Sequence, residues 1–530
     1  MAENLDDAFS EVQALCKDFE LYKDQTYLGP GYSESQARTD FIDKFITALG
    51  WDVRHVHQRN PYEQEVKVER NVNVGAGQKR ADYAFFVAPN FRDVVFFVEA
   101  KKPTLALATA DNYFQAIRYG WNSSTPLAVL TDFHSLHILD CRYKPDIDTA
   151  IHRAVFKFDF TDYSDPEKFA QLYWLISREA VATGSLEKRA AELPTPSRRE
   201  IQKTLFKLSD KSIDEAFLED LDSMRESLAK ALKADNPALD GPALTEVTQR
   251  ILDRLVFMRF LEDKLIETQE SVGKINDGDD AWRRFVASSK RLDQRYNGTV
   301  FKHHYLIDSG KGLVVNDKVF ADICDTLSDP NSPYDFNAIP IHILGSIYER
   351  FLGKIIVVTP KRARLEEKPE VRRIGGVYYT PEYIVRLIVS ETVGKMIEGK
   401  KPEVILEMRF ADIACGSGSF LLGIFDEIIR YMTKRYNQAK SDRAKLLKSG
   451  VCFEAEDGTL HLSLSARREV LLRCIYGVDI DNQAVEVAHL SLYLKLLEEA
   501  TTATARNYQL EIGVALLPSL TKNIVAGILS

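Results

Sequence analysis

The sequence has few cysteines and no long apolar run. Only six of the 530 residues are cysteine, and their spacing contains no CxxC or Cys/His pattern suited to disulfides or zinc. We therefore expect reduced, mostly structural thiols. No stretch of about 18 residues is apolar and free of charge, so the sequence predicts no membrane span.

The sequence also lacks a signal peptide and an excess of positive charge. Its first residues, MAENLDDAFSEV, are acidic and amphipathic rather than basic and then apolar, so we expect a cytoplasmic location. The net charge of −9 argues against nucleic-acid binding by a uniformly basic surface. It does not exclude DNA binding, because a domain that gathers acidic residues around metal ions can still carry a basic groove.

The composition is that of a globular protein, with 45% hydrophobic and 28% charged residues over a length that suggests several domains. Helical and β-rich stretches alternate from residue 1 to about 180, and amphipathic helices follow a proline-containing linker at 193–199. The charged stretch 357–373 predicts a mobile loop. A second α/β region follows, so the fold class is a multidomain α/β protein.

Three charged residues lie in two adjacent β-rich runs of the first region. Asp82 stands at the head of ADYAFFVA, whereas Glu99 and Lys101 lie at the end of DVVFFVEAKK. Residues two apart on a strand point to the same face, so a hairpin would bring all three side chains together. Two carboxylates that hold Mg²⁺, beside a lysine that orients water, suit metal-dependent phosphodiester hydrolysis.

A D…ExK pattern alone is weak, because charged residues also protect ordinary strand edges. The surroundings of Glu99 strengthen the functional interpretation. The residues before it, VVFFV, are apolar, and an unpaired carboxylate there would be costly without a metal ion or a partner. These surroundings add weight to a nuclease site, and the alternative at this point is a solvated strand edge.

Further elements resemble the nuclease domain of type I restriction subunits and fused type IIG enzymes, which is of the PD-(D/E)xK class. Upstream, SESQARTDFIDKFITALGW supplies Glu34, Arg38 and Trp51 in the family's order, and downstream QAIRY supplies Gln115 and Tyr119. The resemblance implies that the two carboxylates of the D…ExK pattern bind Mg²⁺. It also implies that Glu34 is an additional metal or water ligand and that Gln115 and Tyr119 support the site or bind the DNA backbone.

A glycine-rich turn marks the last region. ADIACGSGSF at 411–420 reads as a strand ending at Asp412, a turn containing Gly416 and Gly418, and the start of a helix, a pattern that serves many nucleotide-like ligands. YGVDID then places Asp479 at the end of a second strand, where doubly wound folds bind ribose hydroxyls. The ordinary alternative, an acidic helix cap, fits Asp481 better than Asp479.

These motifs resemble those of gamma-class adenine-specific DNA methyltransferases, whose usual form is DPACGSGxF; here Ile413 replaces the proline. VYYTPEYIV resembles the motif that precedes the glycine turn in that class, with a helix capped by Thr380. The resemblance implies a Rossmann-like domain that binds S-adenosylmethionine. The expected cofactor-binding residues are Tyr379, Thr380, Pro381, Asp412, Ala414, Gly416, Gly418, Asp479 and Ile480.

Two features of that methyltransferase class are missing from the sequence. No N-P-P-Y motif follows the second acidic element, and NSPY at 331–334 lies upstream of the whole domain and reads as a turn. A target-recognition region is not found either. We therefore expect a truncated methyltransferase domain that cannot methylate DNA by itself, with a missing C-terminal portion or a separate specificity subunit.

Together the motifs predict a nuclease domain at 1–180, a helical connector at 181–365 and a partial S-adenosylmethionine-dependent methyltransferase domain at 366–530. The expected function is that of a bifunctional, type IIG-like restriction-modification enzyme that acts on double-stranded DNA and not at a membrane. The alternative is a non-catalytic, or methyltransferase-only, DNA-binding subunit of such a system.

Overall fold

The computed structural model divides the chain into two compact units. Unit 1 contains residues 1–213, 333–338 and 455–459, and unit 2 contains 214–332, 339–454 and 460–530. The structure describes residues 4–68, 81–103, 106–194, 211–264, 266–267, 270–275, 280–296, 300–309, 312–330, 332–359, 362–368, 380–438, 442–455, 457–499 and 516–527. Within these ranges, no helix is both long and apolar enough to cross a membrane. All six cysteines are buried free thiols.

Unit 1 is built from short helices around one sheet. Its strands are β1 (Val66–Val68), β2 (Tyr83–Phe85), β3 (Phe96–Ala100), β4 (Leu127–Thr131), β5 (Ser135–Asp140) and β6 (Ala154–Asp159). Its helices are α1 (Leu5–Tyr22), α2 (Glu34–Ala37), α3 (Asp43–Ala48), α4 (Ala110–Asn122), α5 (Ile147–Ala150), α6 (Pro166–Ile176), α7 (Arg178–Ala182) and α8 (Ser185–Glu192). Two π-helical turns, Lys23–Tyr27 and Arg38–Ile42, follow α1 and α2.

The six strands form a mixed sheet in the order β1-β2-β3-β4-β5-β6. Only β3 and β4 pair in parallel, and α4 connects them as the crossover helix. Every residue of β3 and β4 is buried. This explains why both strands read as apolar runs rather than as alternating patterns, since helices cover both faces of the sheet.

An aromatic cluster holds the N-terminal helices against one face of the sheet. Trp51 lies 4.9 Å from Phe85 between ring centroids, and Phe85 stacks on Phe96 at 4.2 Å. The indole Nε1 of Trp51 donates a hydrogen bond of 3.0 Å to the carbonyl of Ile176 in α6. The other face packs on α4, so strands β3 and β4 are fixed from both sides.

Residues 333–338 of unit 1 contact the end of α4. The Asn122 amide donates to the Pro333 carbonyl at 2.7 Å, and its oxygen accepts from the Asp335 backbone N–H at 3.0 Å. The Asp335 carboxylate also pairs with Arg118 at 3.3 Å. Pro333 lies in the expected NSPY turn, whose Asn331 is outside the described residues. This segment therefore fastens the crossover helix of unit 1.

Unit 2 begins with helices and ends with a small parallel sheet. Its first helices are α9 (Ile213–Asp235), α10 (Gly241–Asp263), α11 (Val272–Ile275), α12 (Ala281–Tyr296), α13 (Tyr305–Asp308), α14 (Asp317–Ser328) and α15 (Ile341–Leu352). The later helices are α16 (Glu382–Val389), α17 (Lys395–Ile397), α18 (Pro402–Ile405), α19 (Ser419–Gln438), α20 (Arg443–Lys448), α21 (Leu464–Cys474) and α22 (Asn482–Leu497).

The strands of unit 2 are β7 (Lys354–Thr359), β8 (Arg362–Glu367), β9 (Phe410–Asp412), β10 (Cys452–Glu454), β11 (Leu460–Leu462), β12 (Ile475–Asp479) and β13 (Ile524–Ala526). Strands β13, β12 and β9 form a parallel sheet in that order. Helix α19 follows β9 and α22 follows β12, so the carboxyl ends of β9 and β12 lie at the same edge. A ligand site is expected at such an edge.

Two expectations about local structure were wrong. The stretch predicted as a loop at 357–373 contains an antiparallel hairpin, because β7 pairs with β8 along KIIVVT and RARLEE, where β-branched and alternating residues favour strands. Thr380 does not cap α16. The N-cap position belongs to Pro381, and no side chain accepts a capping hydrogen bond there; proline's fixed φ suits a position at the helix start.

We expect Trp51→Ala to lower the free energy of unfolding of unit 1 by about 3–5 kcal/mol, because it leaves a cavity in the aromatic cluster and removes the bond to α6. Trp174→Ala is the matched control, since that side chain is 55% exposed, and its cost is expected to stay below about 1 kcal/mol. Urea unfolding of the full chain, followed by circular dichroism, measures both. Equal losses would contradict the assignment of the core.

Candidate functional site

Asp82 and Glu99 lie across from each other on neighbouring strands of unit 1. Strands β2 and β3 are antiparallel with Tyr83 opposite Val98, and continuing that register by one residue sets Asp82 opposite Glu99. Directly opposite residues have Cβ atoms about 5 Å apart. The Ala100 backbone N–H donates to Asp82 Oδ2 at 2.8 Å, which fixes this carboxylate at the end of β3.

Both carboxyl groups are buried, and burial dominates their electrostatics. Asp82 is 8% exposed and Glu99 is 2% exposed. Burial raises the pKa of Asp82, although the nearby Arg38 cation opposes this rise. Burial and the Asp82 charge raise the pKa of Glu99 to about 8, against the attraction of Lys101. The two carboxyl groups therefore repel each other in a medium that screens them poorly.

Lys101 lies on the same face as Glu99, as its spacing predicted. Its Nζ donates to Glu99 Oε1 at 2.5 Å and to Gln115 Oε1 at 3.1 Å. Gln115 lies on α4, and its Nε2 donates to the Tyr119 hydroxyl at 3.2 Å, one helical turn later. The crossover helix thus holds the lysine through Gln115, because residues four apart share a helix face.

Glu34 and Arg38 approach the same carboxylates from the N-terminal helices. Ser33 and Gln36 form a capping box that starts α2 at Glu34. The Glu34 charge contributes to raising the pKa values of Asp82 and Glu99, so it lies within electrostatic reach of both. Arg38 Nη1 pairs with Asp82 Oδ1 at 2.7 Å. Contacts therefore bring together Asp82, Glu99, Lys101 and Gln115, and Glu34 lies within electrostatic reach of the two carboxyl groups.

One atom of this cluster fits a cation. Glu99 Oε2 is buried, and no described residue donates a hydrogen bond to it. Leaving a buried carboxylate oxygen unpaired is costly, and a divalent cation with oxygen ligands satisfies such an atom. Within the part of the chain that the structure describes, no group of three or more His, Cys, Asp or Glu residues forms a ready cation cage. A metal ion here would depend on the paired carboxylates and on ligands from a substrate.

The glycine turn of unit 2 follows β9 as predicted. Gly416 and Gly418 have positive φ angles of 53° and 89°, a region that glycine adopts without strain. The Gly418 N–H donates to the Cys415 carbonyl at 2.8 Å, and the Cys415 N–H donates to the Val478 carbonyl at 3.0 Å. The turn is therefore anchored to strand β12, and helix α19 begins directly after it.

Asp479 connects the two strand ends of the parallel sheet. Its Oδ2 accepts from the Gly416 N–H at 2.9 Å, and its Oδ1 accepts from the Asp481 N–H at 2.8 Å. Asp412 Oδ1 accepts from the Ala414 N–H at 3.1 Å. Asp481 caps α22 by accepting from the Gln483 N–H, which agrees with the simpler interpretation of that residue.

The surface beside these carboxylates exposes apolar side chains. Ile413 is 67% exposed and Ile480 is 77% exposed, each directly after a strand-end aspartate. Thr380 and Pro381 lie at the start of α16, which packs on α19. Gly423 permits this approach, since a Cβ there would lie 2.9 Å from Val385. Tyr379 lies outside the described residues.

Sequence reasoning missed the partners of Arg38. It matched this arginine to a family pattern without assigning it a role, and it did not single out Tyr83 or Asp43. The Tyr83 hydroxyl accepts from Arg38 Nε at 3.2 Å and donates to Asp43 Oδ1 at 2.6 Å. The available signal was the helical spacing of Arg38, which lies four residues before Ile42 and eight before Ile46 and so falls on the apolar face of this amphipathic stretch.

Comparison with known families matches both regions separately. Residues 33–153 match the type I restriction enzyme R protein N terminus (HSDR_N), and residues 399–527 match the DNA-methyltransferase domain of MmeI. The first match contains the Asp82 and Glu99 site, and the second contains the glycine turn and Asp479 but not Thr380 or Pro381. The chain is thus a mixed α/β multidomain protein with a nuclease-like region and a methyltransferase region, and a methyltransferase domain implies S-adenosylmethionine as methyl donor.

Two curated relatives carry both activities in their names. The chain is 31% identical to the type II restriction enzyme and methyltransferase RM.Eco57I of Escherichia coli, over 94% of this chain and 47% of that protein. It is 23% identical to a putative type II restriction enzyme and methyltransferase of Methanocaldococcus jannaschii, over 68% of this chain and 34% of that protein. The chain therefore spans about half the length of the first relative and about a third of the second.

Among solved structures, the Type IIL restriction-modification enzyme MmeI in complex with DNA aligns at 16% identity. The alignment covers 58% of this chain and 40% of that chain, with a TM-score of 0.37. The assignment of the two regions rests on the two family matches and the two relatives.

We expect alanine to be tolerated differently at the two glycines of the turn. Gly416→Ala should cost about 1–2 kcal/mol from its positive φ alone, since no described atom lies within 4 Å of the added methyl group. Gly418→Ala should cost at least about 1 kcal/mol more, because its methyl group would lie 3.2 Å from the Ala488 Cβ on α22. Thermal unfolding of the full chain measures the difference, and a larger loss for Gly416→Ala would contradict this geometry.

Proposed function

We propose that this chain, a homologue of type II restriction enzymes and methyltransferases, cleaves double-stranded DNA with a PD-(D/E)xK site and binds S-adenosylmethionine in a partial Rossmann-like domain. The observation that supports the nuclease most directly is the buried pair Asp82 and Glu99 with Lys101 beside it. We assign the nuclease to 1–180, a helical connector to 181–365 and the methyltransferase region to 366–530.

In the proposed nuclease, Asp82 and Glu99 would hold Mg²⁺, which supplies a Lewis acid for the scissile phosphate. Lys101 is fixed by Glu99 and Gln115, so its ammonium group is available at a defined point to orient a water molecule and to offset negative charge on the phosphate. Glu34 would act as a further ligand of the metal or of that water. The buried position of the cluster strengthens each of these interactions.

Gln115 acts on the reaction through Lys101 rather than on the phosphate. Its two ends contact different partners, since Oε1 accepts from Lys101 and Nε2 donates to Tyr119. The Tyr119 side chain is 3% exposed, and burial raises its pKa well above the usual value, so the hydroxyl stays protonated. A neutral amide between them therefore limits where the lysine can move.

In the proposed cofactor site, Asp479 would accept hydrogen bonds from ribose hydroxyls. Both of its oxygens already bond backbone N–H groups, but each carboxylate oxygen has a second lone pair. The exposed side chains of Ile413 and Ile480 offer an apolar surface for a purine ring. The glycine turn, with Asp412, Ala414, Thr380 and Pro381, would enclose the methionine end.

Lys101→Ala should reduce Mg²⁺-dependent DNA cleavage at least about 100-fold, because no other described cation contacts Glu99. Asp82→Ala should have a similar effect. Lys102→Ala is the matched control, since its ammonium group binds the Pro30 carbonyl at the surface, and it should cleave within about threefold of the parent chain. Nicking of supercoiled plasmid by the full chain, with and without S-adenosylmethionine, measures this.

Cleavage that survives unchanged in Asp82→Ala would place the nuclease elsewhere. No cleavage by the parent chain under any of these conditions would favour the alternative, a DNA-binding subunit without nuclease turnover.

Asp479→Ala should weaken S-adenosylmethionine binding at least about tenfold, through loss of the ribose contact and of the anchor on the glycine turn. Asp481→Asn should leave the affinity within about twofold, because asparagine also caps a helix. Isothermal titration of the full chain with the cofactor measures both. Equal affinities of the parent chain and Asp479→Ala would rule out this cofactor assignment.

A further inference from the structure

The Arg38 side chain is held in place beside the proposed metal ligand Asp82. Its side chain is buried, with Nη1 at 2.7 Å from Asp82 Oδ1 and Nη2 at 3.4 Å from the Asp82 carbonyl oxygen. It lies in the π-helical turn after α2. A π-helical turn changes the direction of the side chains that follow it and often occurs at functional sites. The guanidinium group is therefore brought to the carboxylate by a specific local distortion.

The guanidinium group is also held from its other side. Arg38 Nε donates to the Tyr83 hydroxyl at 3.2 Å, and the guanidinium carbon lies 4.7 Å from the centre of the Tyr83 ring. The Tyr83 hydroxyl in turn donates to Asp43 Oδ1 at 2.6 Å. Tyr83 therefore holds the Arg38 guanidinium group independently of Asp82. Moving this group away from Asp82 would cost free energy, because the contacts with Tyr83 would be lost.

The net charge around Asp82 and Glu99 determines how strongly the cluster attracts a divalent cation. The groups that act on Asp82 and Glu99 are the Glu34 carboxylate and two cations, Arg38 and Lys101. Counted with that pair, their net charge is at most one negative unit; the Asp43 carboxylate, bonded to Tyr83, acts on Arg38 from the other side. A divalent cation binds weakly to so nearly neutral a site, and Mg²⁺ sites built on one or two carboxylates commonly need substrate phosphates as well. Removing the Arg38 charge would make the cluster more negative by one unit.

We propose that Arg38 keeps the affinity of this site for divalent metal low until a DNA phosphate arrives, so that metal and DNA bind together. This inference rests on the proposed nuclease function. The phosphodiester supplies the negative charge and the oxygen ligands that the cluster lacks while Arg38 is paired with Asp82. A nuclease of this design holds little metal without DNA, which limits hydrolysis to the DNA complex.

The test is Mn²⁺ binding to the full chain, followed by electron paramagnetic resonance, with and without a short DNA duplex. Without DNA, Arg38→Met should bind Mn²⁺ about tenfold more tightly than the parent chain or tighter still. The duplex should tighten binding to the parent chain by a similar factor and binding to Arg38→Met much less. Arg38→Lys, which keeps the charge, and Arg54→Met, at an exposed arginine, should both behave as the parent chain does.

Arg38→Gln provides a second variant, because glutamine can still donate to Asp82 while the charge is removed. Circular dichroism checks that each variant is folded. If Arg38→Met and Arg38→Gln bind Mn²⁺ no more tightly than the parent chain without DNA, the inference is wrong. If instead Asp82→Ala leaves Mn²⁺ binding unchanged with the duplex present, the proposed nuclease site itself is wrong, so the two failures can be told apart.

Discussion

Burial of two opposed carboxylates within one sheet is the constraint on which the first site depends. The register of β2 and β3 brings Asp82 and Glu99 together, and burial removes the water that would otherwise stabilise their charges. Each carboxylate therefore has its own cation, Arg38 for Asp82 and Lys101 for Glu99. Buried ion pairs of this kind contribute little to the stability of the fold, because their attraction seldom recovers the free energy lost on desolvation. Their presence is better explained by chemistry at the site.

The surrounding elements can be understood as supports for those two pairs. Helix α4 holds Lys101 through Gln115, and residues 333–338 fasten the end of α4 through Asn122. On the opposite side, the turn after α2 brings in Arg38 with Tyr83 behind it. A segment more than 200 positions away in sequence thus stabilises the helix that positions the lysine. Such long-range supports are what keep charged side chains within a narrow range of positions.

Local spacing was enough to predict some of these features and not others. The two-residue separation of Glu99 and Lys101 determines that they share a face, and the strand-end position of Asp479 follows from a pattern of similar simplicity. The contact of Arg38 could not be predicted, because it depends on a π-helical turn that changes the helix period. The β7–β8 hairpin was not predicted for a different reason. The prediction of a loop at 357–373 was based on the high charge of that stretch and did not consider the β-branched residues before it. Contacts made by 333–338 depend on tertiary structure alone.

The two sites use aspartate in different electrostatic settings, and this difference follows from sheet geometry. In the parallel sheet of unit 2, the described donors to the Asp479 carboxylate are backbone N–H groups of the loops at the strand ends, so neutral dipoles orient it. In the proposed cofactor site, its charge is left for ligand hydroxyls. In unit 1, antiparallel pairing puts Asp82 against another acid, and one backbone N–H is not sufficient compensation. A full cation is required there. Arg38 supplies that cation, and it therefore opposes the binding of any second cation to the same carboxylate.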